Sequence, residues 1–255
     1  CNMDVNHIQN NTISENNKFP YLYESISVIQ KILEQFQTDR IVMGTGFGAP
    51  GIVLLDILRK VNSDIRVFYI DTGLLFKETY DLKNKLEGYY NIKFIKVSTS
   101  LSISKQKELH GGRLWKTNPN LCCNIRKVIP LKNVLKDFDV WITGIRKFQT
   151  QLRKNSKIIE YNELYNVTKT NPLINWTHDQ IWEYIRMNNI PYNKLHDKGY
   201  PSLGCTHCTT SVKKGENHRA GRWRNKNKTE CGLHFGYKNG KVKVLRNGEK
   251  NNGSK

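Results

Sequence analysis

The sequence lacks the long apolar segments that membrane insertion requires. No stretch of about 18 consecutive apolar residues occurs among its 255 residues, so we expect no transmembrane helix. The N-terminal region also lacks the apolar core of a signal peptide. The chain begins with Cys1, as a mature lipoprotein does, but nothing else in it indicates export, and we expect a cytoplasmic protein.

Acidic residues are scarce. Asp and Glu number 22 against 41 Lys and Arg, which gives a formal net charge of +19. Three kinds of protein fit this excess: one that binds nucleic acid, one with a solvated Lys- and Asn-rich surface, and one with a basic pocket for a small sulfate or phosphate ester. Composition alone leaves all three open.

The cysteines do not have the distribution of a secreted disulfide framework. The six are Cys1, an adjacent pair at 122–123, a C-x-x-C at 205–208, and Cys231. A pair, a C-x-x-C and a lone residue are typical of a metal site plus one reactive thiol in a reducing compartment.

Apolar runs alternate with amphipathic segments through most of the chain, without an internal repeat. The predicted strands lie within 40–50, 65–73, 92–99 and 139–145, and the predicted helices are 21–36, 51–61, 77–90, much of 121–136, and 176–189. This alternation predicts an α/β, Rossmann-like fold, with a mostly parallel sheet and helices on both faces. In such sheets, ligands bind at the carboxyl ends of the strands, where the topology switches.

Composition divides the chain into three parts. Residues 1–18 are polar and Asn-rich, and we expect them to be disordered. Residues 19–235 are predicted to form one domain, whose C-terminal segment from about 197–235 is rich in Gly, Lys and Asn and is expected to be partly irregular. Residues 236–255 are a basic tail.

A glycine-rich turn, GTGFGAPG (44–51), follows the first predicted strand. Gly46 and Gly48 would let backbone N–H groups hold an anion at the start of the next helix, although any tight turn between a strand and a helix uses glycine. The turn lacks both the Gly-Lys-Ser/Thr of a Walker A loop and the Ser-Gly-Gly-x-Asp-Ser loop of ATP pyrophosphatases. ATP hydrolysis is therefore poorly supported.

Two further turns end strands on the same predicted edge of the sheet. In the first, Asp71 could accept hydrogen bonds from a ribose or an adenine. Gly73 and Gly144 would permit close approach of a ligand, and Arg146, which ends the second turn, is a further candidate substrate contact. Taken alone, these residues are better explained by ordinary turn chemistry.

Four cysteines offer the thiolate ligands of zinc or of an iron–sulfur cluster: Cys122, Cys123, Cys205 and Cys208. Zinc requires tetrahedral ligands around a single ion, which two adjacent cysteines supply awkwardly. A cubane spreads its irons apart, so adjacent cysteines can bind different irons. The pattern favours an iron–sulfur cluster over zinc.

The lone thiol, Cys231, lies outside both pairs, after a basic run and three residues before His234. Nearby cations lower the pKa of a thiol and make it a nucleophile, although a single Cys near a His is often structural. Arg219 and Arg222 have the i, i+3 spacing that lets both guanidinium groups bind one tetrahedral oxyanion. A solvated basic run explains these arginines as well.

Several motifs occur together and in one order: LCCNIRKVIPL (121–131), WITGIRKFQTQLR (141–153), the segment NPLINW to GCTHCT (171–209), HRAGRW (218–223) and ECGLH (230–234). FYIDTGLLFKETYDL (68–82) fits the same pattern. With this set, from about Arg40 to His234, the sequence closely resembles the assimilatory adenylyl sulfate (APS) reductases of the APS/PAPS reductase family.

The resemblance implies a fold related to the adenine-nucleotide hydrolases and a 4Fe–4S cluster on the two cysteine pairs. It makes Cys231 the catalytic thiol on a flexible segment, with Lys127 between cluster and substrate. Arg219, Arg222 and His234 would surround the sulfate. The implied reaction is reduction of APS to sulfite and AMP through an S-sulfonated Cys231.

Thioredoxin or glutaredoxin would be a separate reductant, because the sequence contains no further C-x-x-C. A homo-oligomer is compatible with this interpretation. The sequence departs from the family pattern in the glycine-rich turn, which lacks the usual Ser near Gly46 and an acidic or polar residue near Pro50. Lys77 stands where Pro is common. These departures concern phosphate contacts and leave the cysteine pattern untouched.

The nearest alternative is the same chemistry on PAPS, or on both substrates, although the cluster cysteines argue against a PAPS-selective enzyme. A zinc-containing nucleic-acid-binding protein would leave Cys231 unexplained, which argues against nucleic acid as a partner. A tRNA-thiolating enzyme of the pyrophosphatase group would need the ATP loop that is missing.

Overall fold

The computed structural model describes residues 21–235, together with the backbone of Tyr237–Lys238 and Lys241–Val242. The predictions for residues 1–18 and for most of the basic tail lie outside the described residues. Within them, no helix combines the length and the apolar character that crossing a bilayer requires.

A six-stranded sheet forms the centre of the fold. Its strands are Ile41–Thr45 (β1), Arg66–Ile70 (β2), Ile95–Val97 (β3), Val140–Thr143 (β4), Ile159–Asn162 (β5) and Val167–Thr170 (β6). Their order is β3-β2-β1-β4-β6-β5, and all neighbours are parallel except β5, which pairs with β6 antiparallel at the edge. Tyr237–Lys238 (β7) and Lys241–Val242 (β8) form a separate antiparallel ribbon.

Helices connect most of the strands. They are Leu22–Gln35 (α1), Ala49–Val61 (α2), Lys77–Tyr90 (α3), Ile103–His110 (α4), Leu114–Thr117 (α5), Pro119–Cys123 (α6), Ile129–Val134 (α7) and His178–Met187 (α8). Thr177 and Gln180 form a capping box, in which each side chain accepts a hydrogen bond from the other residue's backbone N–H. Two orphan donors of the first turn are thereby satisfied, so α8 begins where this spacing indicates.

Both faces of the sheet are buried, because alternate residues of a strand point to opposite faces. Ile41 and Met43 of β1 pack with apolar side chains of α1, α2, α3 and α8. Val42, between them, belongs to a second cluster that includes Leu131 of α7 and Trp141 of β4. These two clusters confirm the predicted α/β fold with helices on both faces.

The topology switches between β1 and β4. Strands β2 and β3 lie on one side of β1, whereas β4 and β6 lie on the other, so a crevice opens at the carboxyl ends of β1 and β4. The two turns that follow these strands touch there, and a Cβ on Gly144 would lie 3.2 Å from the carbonyl group of Pro50. A side chain at position 144 would force the turns apart.

Two features differ from the sequence-based expectation. The helix predicted over much of 121–136 is divided into α6, a π-helical turn at Asn124–Val128, and α7. Pro130 cannot donate a hydrogen bond to the preceding turn, so the helix widens before it. Strands β5 and β6 were not predicted. In β6 a buried position is occupied by Lys169, whose charge is paired with Glu160 of β5, so apolar residues alone do not mark the buried side of this strand.

Candidate active site

A cavity of about 750 Å³ opens at the crevice beyond β1 and β4. Nine of the residues predicted to form the site line it: Gly46, Gly48, Lys127, Gly144, Arg146, Arg219, Arg222, Cys231 and His234. The fold therefore gathers the glycine-rich turn, the turn after β4, the π-helical turn and the C-terminal segment around one space.

Asp71 and Gly73 lie outside this lining. The Asp71 carboxylate accepts hydrogen bonds from the Tyr80 hydroxyl at 2.6 Å and from the N–H of Gly73 at 2.8 Å, and it forms an ion pair with Lys96. Gly73 has a φ of +68°, which glycine adopts without strain. Both residues shape the turn after β2 through these contacts, and their role as substrate contacts stays a prediction.

Lys127 and Cys231 form the electrostatic centre of the cavity. Burial opposes the charge of Lys127, but negative charge on Cys205, Cys231 and Cys123 raises the pKa of its ammonium above the ordinary lysine value. Burial also disfavours the Cys231 thiolate, yet Lys127 and Arg222 hold the pKa of that thiol below its ordinary value. Cys231 therefore ionises more readily than an ordinary cysteine.

Arg219 and Arg222 converge on one hydroxyl. Their Nη1 atoms lie 3.3 and 3.5 Å from Oγ of Ser202. Arg222 also donates to the carbonyl oxygen of Leu203 at 2.6 Å and packs against Gly204, where a Cβ would lie 2.6 Å from the guanidinium carbon. Within the described residues, the buried Nε of each arginine has no acceptor, which favours an anionic ligand.

Arg146 presents a third buried guanidinium. Its Nη1 donates to the carbonyl oxygen of Trp176 at 3.3 Å, while its Nε finds no acceptor in the described part of the chain. Burial, with repulsion from Arg153, lowers the pKa of Arg146 to about 10. Because this lowering reflects positive charge that lacks a counter-charge, an anion beside Arg146 would be favoured.

Arg126, the neighbour of Lys127, does not line the cavity. It donates to Oε1 of Gln106 at 2.7 Å, to the carbonyl oxygen of Thr72 at 2.8 Å and to that of Leu101 at 3.1 Å. These bonds connect the π-helical turn to α4 and to the loops after β2 and β3. Arg126 is therefore structural, and Lys127 supplies the charge in the cavity.

The C-x-x-C segment is fixed beside the loop after β2. Cys205 directly precedes the short 3-10 helix Thr206–Cys208, and Cys208 ends it. The backbone N–H of Thr206 donates to the carbonyl oxygen of Leu74 at 2.8 Å, and the Thr72 hydroxyl lies 3.3 Å from Sγ of Cys205. The sheet thereby determines where these two sulfurs lie.

The cysteine pair at the end of α6 faces this segment. Burial, together with negative charge on Cys205 and Cys208, raises the pKa of Cys122 to about 11, and burial raises that of Cys123 to about 12. All four are free thiols, and holding them as thiolates would require a cationic group among them. This donor set fits a thiolate-bound metal group. No three His, Cys, Asp or Glu side chains of the described residues converge closely enough to hold a single ion.

His234 is held against the sheet. Its ring stacks on that of Trp141 in β4. Burial, with the positive charge of Lys169, Arg153 and Arg219, holds its pKa well below the ordinary histidine value, so the imidazole is neutral near pH 7. Its buried Nδ1 has no hydrogen-bond partner among the described residues and is available to a ligand.

Arg153 and Glu230 organise the C-terminal segment. Both lie in the motifs at 141–153 and 230–234, but neither is assigned a role from the sequence. Glu230, adjacent to Cys231, is bound by Nε and Nη2 of the buried Arg153 at 2.7 and 2.8 Å. The Thr150 hydroxyl donates to the same carboxylate at 2.9 Å. Because 77 residues separate Arg153 from Glu230, no local spacing could indicate this pair.

Comparison with known proteins agrees with this geometry. The phosphoadenosine phosphosulfate reductase domain family matches residues 40–211. The chain is 42% identical over 223 residues to the adenosine 5'-phosphosulfate reductase of Halalkalibacterium halodurans, which covers 87% of this chain and 96% of that protein. It is 45% identical over 197 residues to adenosine 5'-phosphosulfate reductase 2 of Bacillus subtilis, which covers 77% and 84% of the two chains.

Solved structures show the same relationship. The phosphoadenylyl-sulfate (PAPS) reductase of Candida auris, in a phosphate complex, has a TM-score of 0.63 at 30% identity and covers 83% of this chain and 99% of that chain. The FMN adenylyltransferase of Candida glabrata, at 15% identity, a TM-score of 0.57 and coverage of 89% and 76%, shares the fold alone. The family match and the two reductase relatives confirm the resemblance seen in the motifs, and the chain belongs to the APS/PAPS reductase family of oxidoreductases.

Proposed function

We propose that the protein reduces APS to sulfite and AMP, with Cys231 as the nucleophile. The observation that carries the proposal is the position of Cys231 beside the buried ammonium of Lys127, in a cavity that Arg219 and Arg222 also line. The names of the Halalkalibacterium and Bacillus relatives support the same substrate.

In the first step, the Cys231 thiolate attacks the sulfur of APS. A bond forms between Sγ and this sulfur while the bond from the sulfur to the bridging oxygen breaks, and AMP departs with that oxygen and the electron pair. Cys231 then carries a sulfonate.

In the second step, a thiolate of thioredoxin or glutaredoxin attacks Sγ of Cys231. Sulfite leaves with the electrons of the sulfur–sulfur bond, and a second thiol of the reductant resolves the mixed disulfide and restores Cys231. Two reductant thiols become a disulfide, and the sulfur of the substrate gains two electrons.

Cations of the cavity stabilise the sulfate during transfer. Lys127, Arg219 and Arg222 would offset the negative charge that builds on the transferring and leaving oxygens. The neutral imidazole of His234 would add a hydrogen bond without adding charge. Buried guanidinium Nε groups without acceptors in the described chain support this assignment.

The glycine-rich turn would hold the phosphate of the nucleotide. A Cβ on Gly46 or Gly48 would meet nothing within 4 Å, so this side of the cavity leaves room for a ligand against the backbone. Gly144 and Arg146 line the opposite turn, and the guanidinium of Arg146 would balance the phosphate charge.

We assign a 4Fe–4S cluster to the two cysteine pairs. The free thiols of Cys122, Cys123, Cys205 and Cys208 support a group bound by thiolates. Cys205 and Cys208 both raise the pKa of Cys122, which indicates that these sulfurs lie near one another. When bound, such a cluster supplies charge and rigidity beside Lys127. Both electrons of the reaction come from thiols.

Reduction of PAPS, alone or with APS, is the alternative that one relative favours, since the Candida auris protein is a PAPS reductase by name. The chemistry at Cys231 would be unchanged. A separate thioredoxin or glutaredoxin and a cytoplasmic location complete the proposal.

Anaerobic purification followed by assays with APS and with PAPS, each with reduced thioredoxin, tests the proposal. We expect sulfite from APS with a much higher kcat/KM than from PAPS. A higher value for PAPS would change the substrate, and no sulfite from either compound would reject the function.

A further inference from the structure

We propose that Glu230 and Arg153 form a latch that docks the Cys231 thiol in the cavity for attack and opens to release it for reduction. The inference rests on the proposed two-step function, because one thiol has to reach a small substrate inside the cavity and then a protein reductant outside it.

The latch is a buried, two-armed ion pair. Arg153 belongs to the 3-10 helix Gln151–Asn155, and its side chain is 9% exposed while that of Glu230 is 1% exposed. Nε and Nη2 of Arg153 contact the two carboxylate oxygens at 2.7 and 2.8 Å. Such parallel hydrogen bonds fix orientation as well as distance. Because Glu230 directly precedes Cys231, the pair positions the thiol.

The contacts of the residues that follow Cys231 are weaker than the Glu230–Arg153 ion pair. His234 stacks on Trp141, and Nζ of Lys169 lies 5.8 Å from the ring centroid of Phe235. Ring contacts of these types contribute modestly one by one. The Glu230–Arg153 ion pair is therefore the contact whose loss should release the segment.

Arg219 connects the latch to the cavity. Its Nη2 donates to the carbonyl oxygen of Thr229 at 2.8 Å and lies 3.6 Å from Oε2 of Glu230. The same arginine lines the cavity beside Cys231. An anion bound there would compete with Glu230 for this guanidinium, so occupancy of the cavity and strength of the latch are coupled.

Activation of the thiol does not explain a carboxylate at position 230. Negative charge next to a thiolate disfavours ionisation, so Glu230 acts against the nucleophile that follows it. Because Arg153 and Thr150 bind the Glu230 carboxylate, its role is to hold the segment that carries Cys231 in place.

The test measures access to Cys231 without any substrate. Glu230→Gln, Arg153→Gln and the double variant are treated with iodoacetamide, and alkylation of the Cys231 peptide is followed by mass spectrometry. We expect each single variant to react about ten-fold faster than the wild type, and the double variant no faster than the singles, since contacting residues couple to this extent.

Electrostatics alone predicts a different pattern. Removing the Glu230 charge would favour the thiolate and speed alkylation, whereas removing the Arg153 charge would slow it. Faster reaction in both variants therefore supports the latch. Opposite changes, or additive effects in the double variant, would overturn it.

Asp139→Asn is the matched control, because it neutralises the carboxylate of another two-armed pair, Arg40–Asp139, at 2.7 and 3.0 Å, away from the cavity. Its alkylation rate should equal that of the wild type.

A second variant applies if either latch variant fails to fold, as judged by its thermal transition. Thr150→Val removes one hydroxyl donor to Glu230 and should also make alkylation faster. An unchanged rate in that variant would then contradict the latch.

A single-turnover experiment separates the latch from the proposed function. With APS and no reductant, both latch variants should release AMP about ten-fold more slowly than the wild type, because the Glu230–Arg153 interaction that docks the thiol is lost. Reduction of a preformed adduct should not be slowed, and a slowed second step would overturn the opening role. If wild-type protein releases no AMP, the proposed function fails while alkylation still decides the latch.

Discussion

The indole of Trp141 and the imidazole of His234 are stacked, with centroids 5.1 Å apart and ring planes inclined by 6°. Trp141 lies in β4, next to β1 at the middle of the sheet. The segment that carries Cys231 therefore rests on a rigid part of the fold. On the indole, Nε1 would lie 2.7 Å from a Cβ at Gly44, so Gly44 permits this position of the ring.

Gly44→Ala should disturb both stability and turnover. The added methyl group would displace Trp141 and with it His234, and overpacking of this kind typically costs about 1–3 kcal/mol. We expect a lower urea midpoint and a lower kcat/KM. Gly88→Ala is the control: a Cβ there meets nothing within 4 Å, and alanine in a helix should leave stability equal or higher.

Cys231→Ser tests the nucleophile. A hydroxyl at neutral pH cannot replace the thiolate, so sulfite production should fall by more than about a thousandfold while APS binding persists. Wild-type protein given APS without reductant should gain a sulfonate on Cys231, seen by peptide mass spectrometry, and release one AMP per site. An unmodified Cys231 after stoichiometric AMP release would contradict the mechanism.

Cys205→Ser tests the cluster. Anaerobically purified wild-type protein should be brown, with about four irons and four sulfides per chain. The variant should lose the colour and some folding stability. Cys231→Ser supplies the matched control, because it removes a thiol of the cavity and should keep the iron. A colourless wild-type protein with one zinc would refute the assignment.

Substitutions of the basic residues that line the cavity test whether their charge serves the reaction, and a substitution of Arg126 tests the contrasting structural role. Lys127→Ala, Arg219→Ala and Arg222→Ala should each lower kcat/KM by roughly 10²–10³, as removal of a donor to transition-state charge does. Arg126 does not line the cavity. Arg126→Gln breaks its bonds to the carbonyl groups of Thr72 and Leu101 and should mainly lower the free energy of unfolding. Unchanged turnover in all three alanine variants would show that the sulfate lies elsewhere.

His178 should make the protein less stable in acid. It lies at the start of α8, with the His218 ring 4.0 Å away, and burial, then repulsion from His218 and Arg146, lowers its pKa to about 4 despite the opposing charge of Asp179. The unfolded chain takes up this proton near pH 6.5, so stability is retained above that pH and falls as the pH decreases toward 4.

Because His178 is only partly buried, the expected loss is about 1–3 kcal/mol, less than the full shift would give. Urea unfolding of wild type and His178→Gln at pH 7 and at about pH 4.5 measures it. The variant should lose less stability than the wild type over this interval. Equal losses in the two proteins would show that His178 titrates normally in the fold.

Tertiary contacts add to what the sequence indicated at two places in the site. Asp71 follows a strand at the expected edge of the sheet, but its carboxylate is bound by Tyr80 and Gly73. Arg126 and Lys127 are adjacent and alike in charge, yet only Lys127 lines the cavity. A one-residue step along a helix changes the direction of a side chain by a large angle, so the two neighbours point to different surroundings.

The sequence by itself determined the α/β class, the division of the cysteines into two pairs and a lone thiol, and the family, because these depend on local periodicity and on residue identity within short motifs. The tertiary structure decided how the residues around Cys231 are arranged and which side chain binds the carboxylate that precedes it. Lys127 reaches Cys231 from the π-helical turn, and Arg153 binds Glu230 across 77 residues of chain. Contacts of that range depend on how the sheet and the C-terminal segment pack, which no local pattern records.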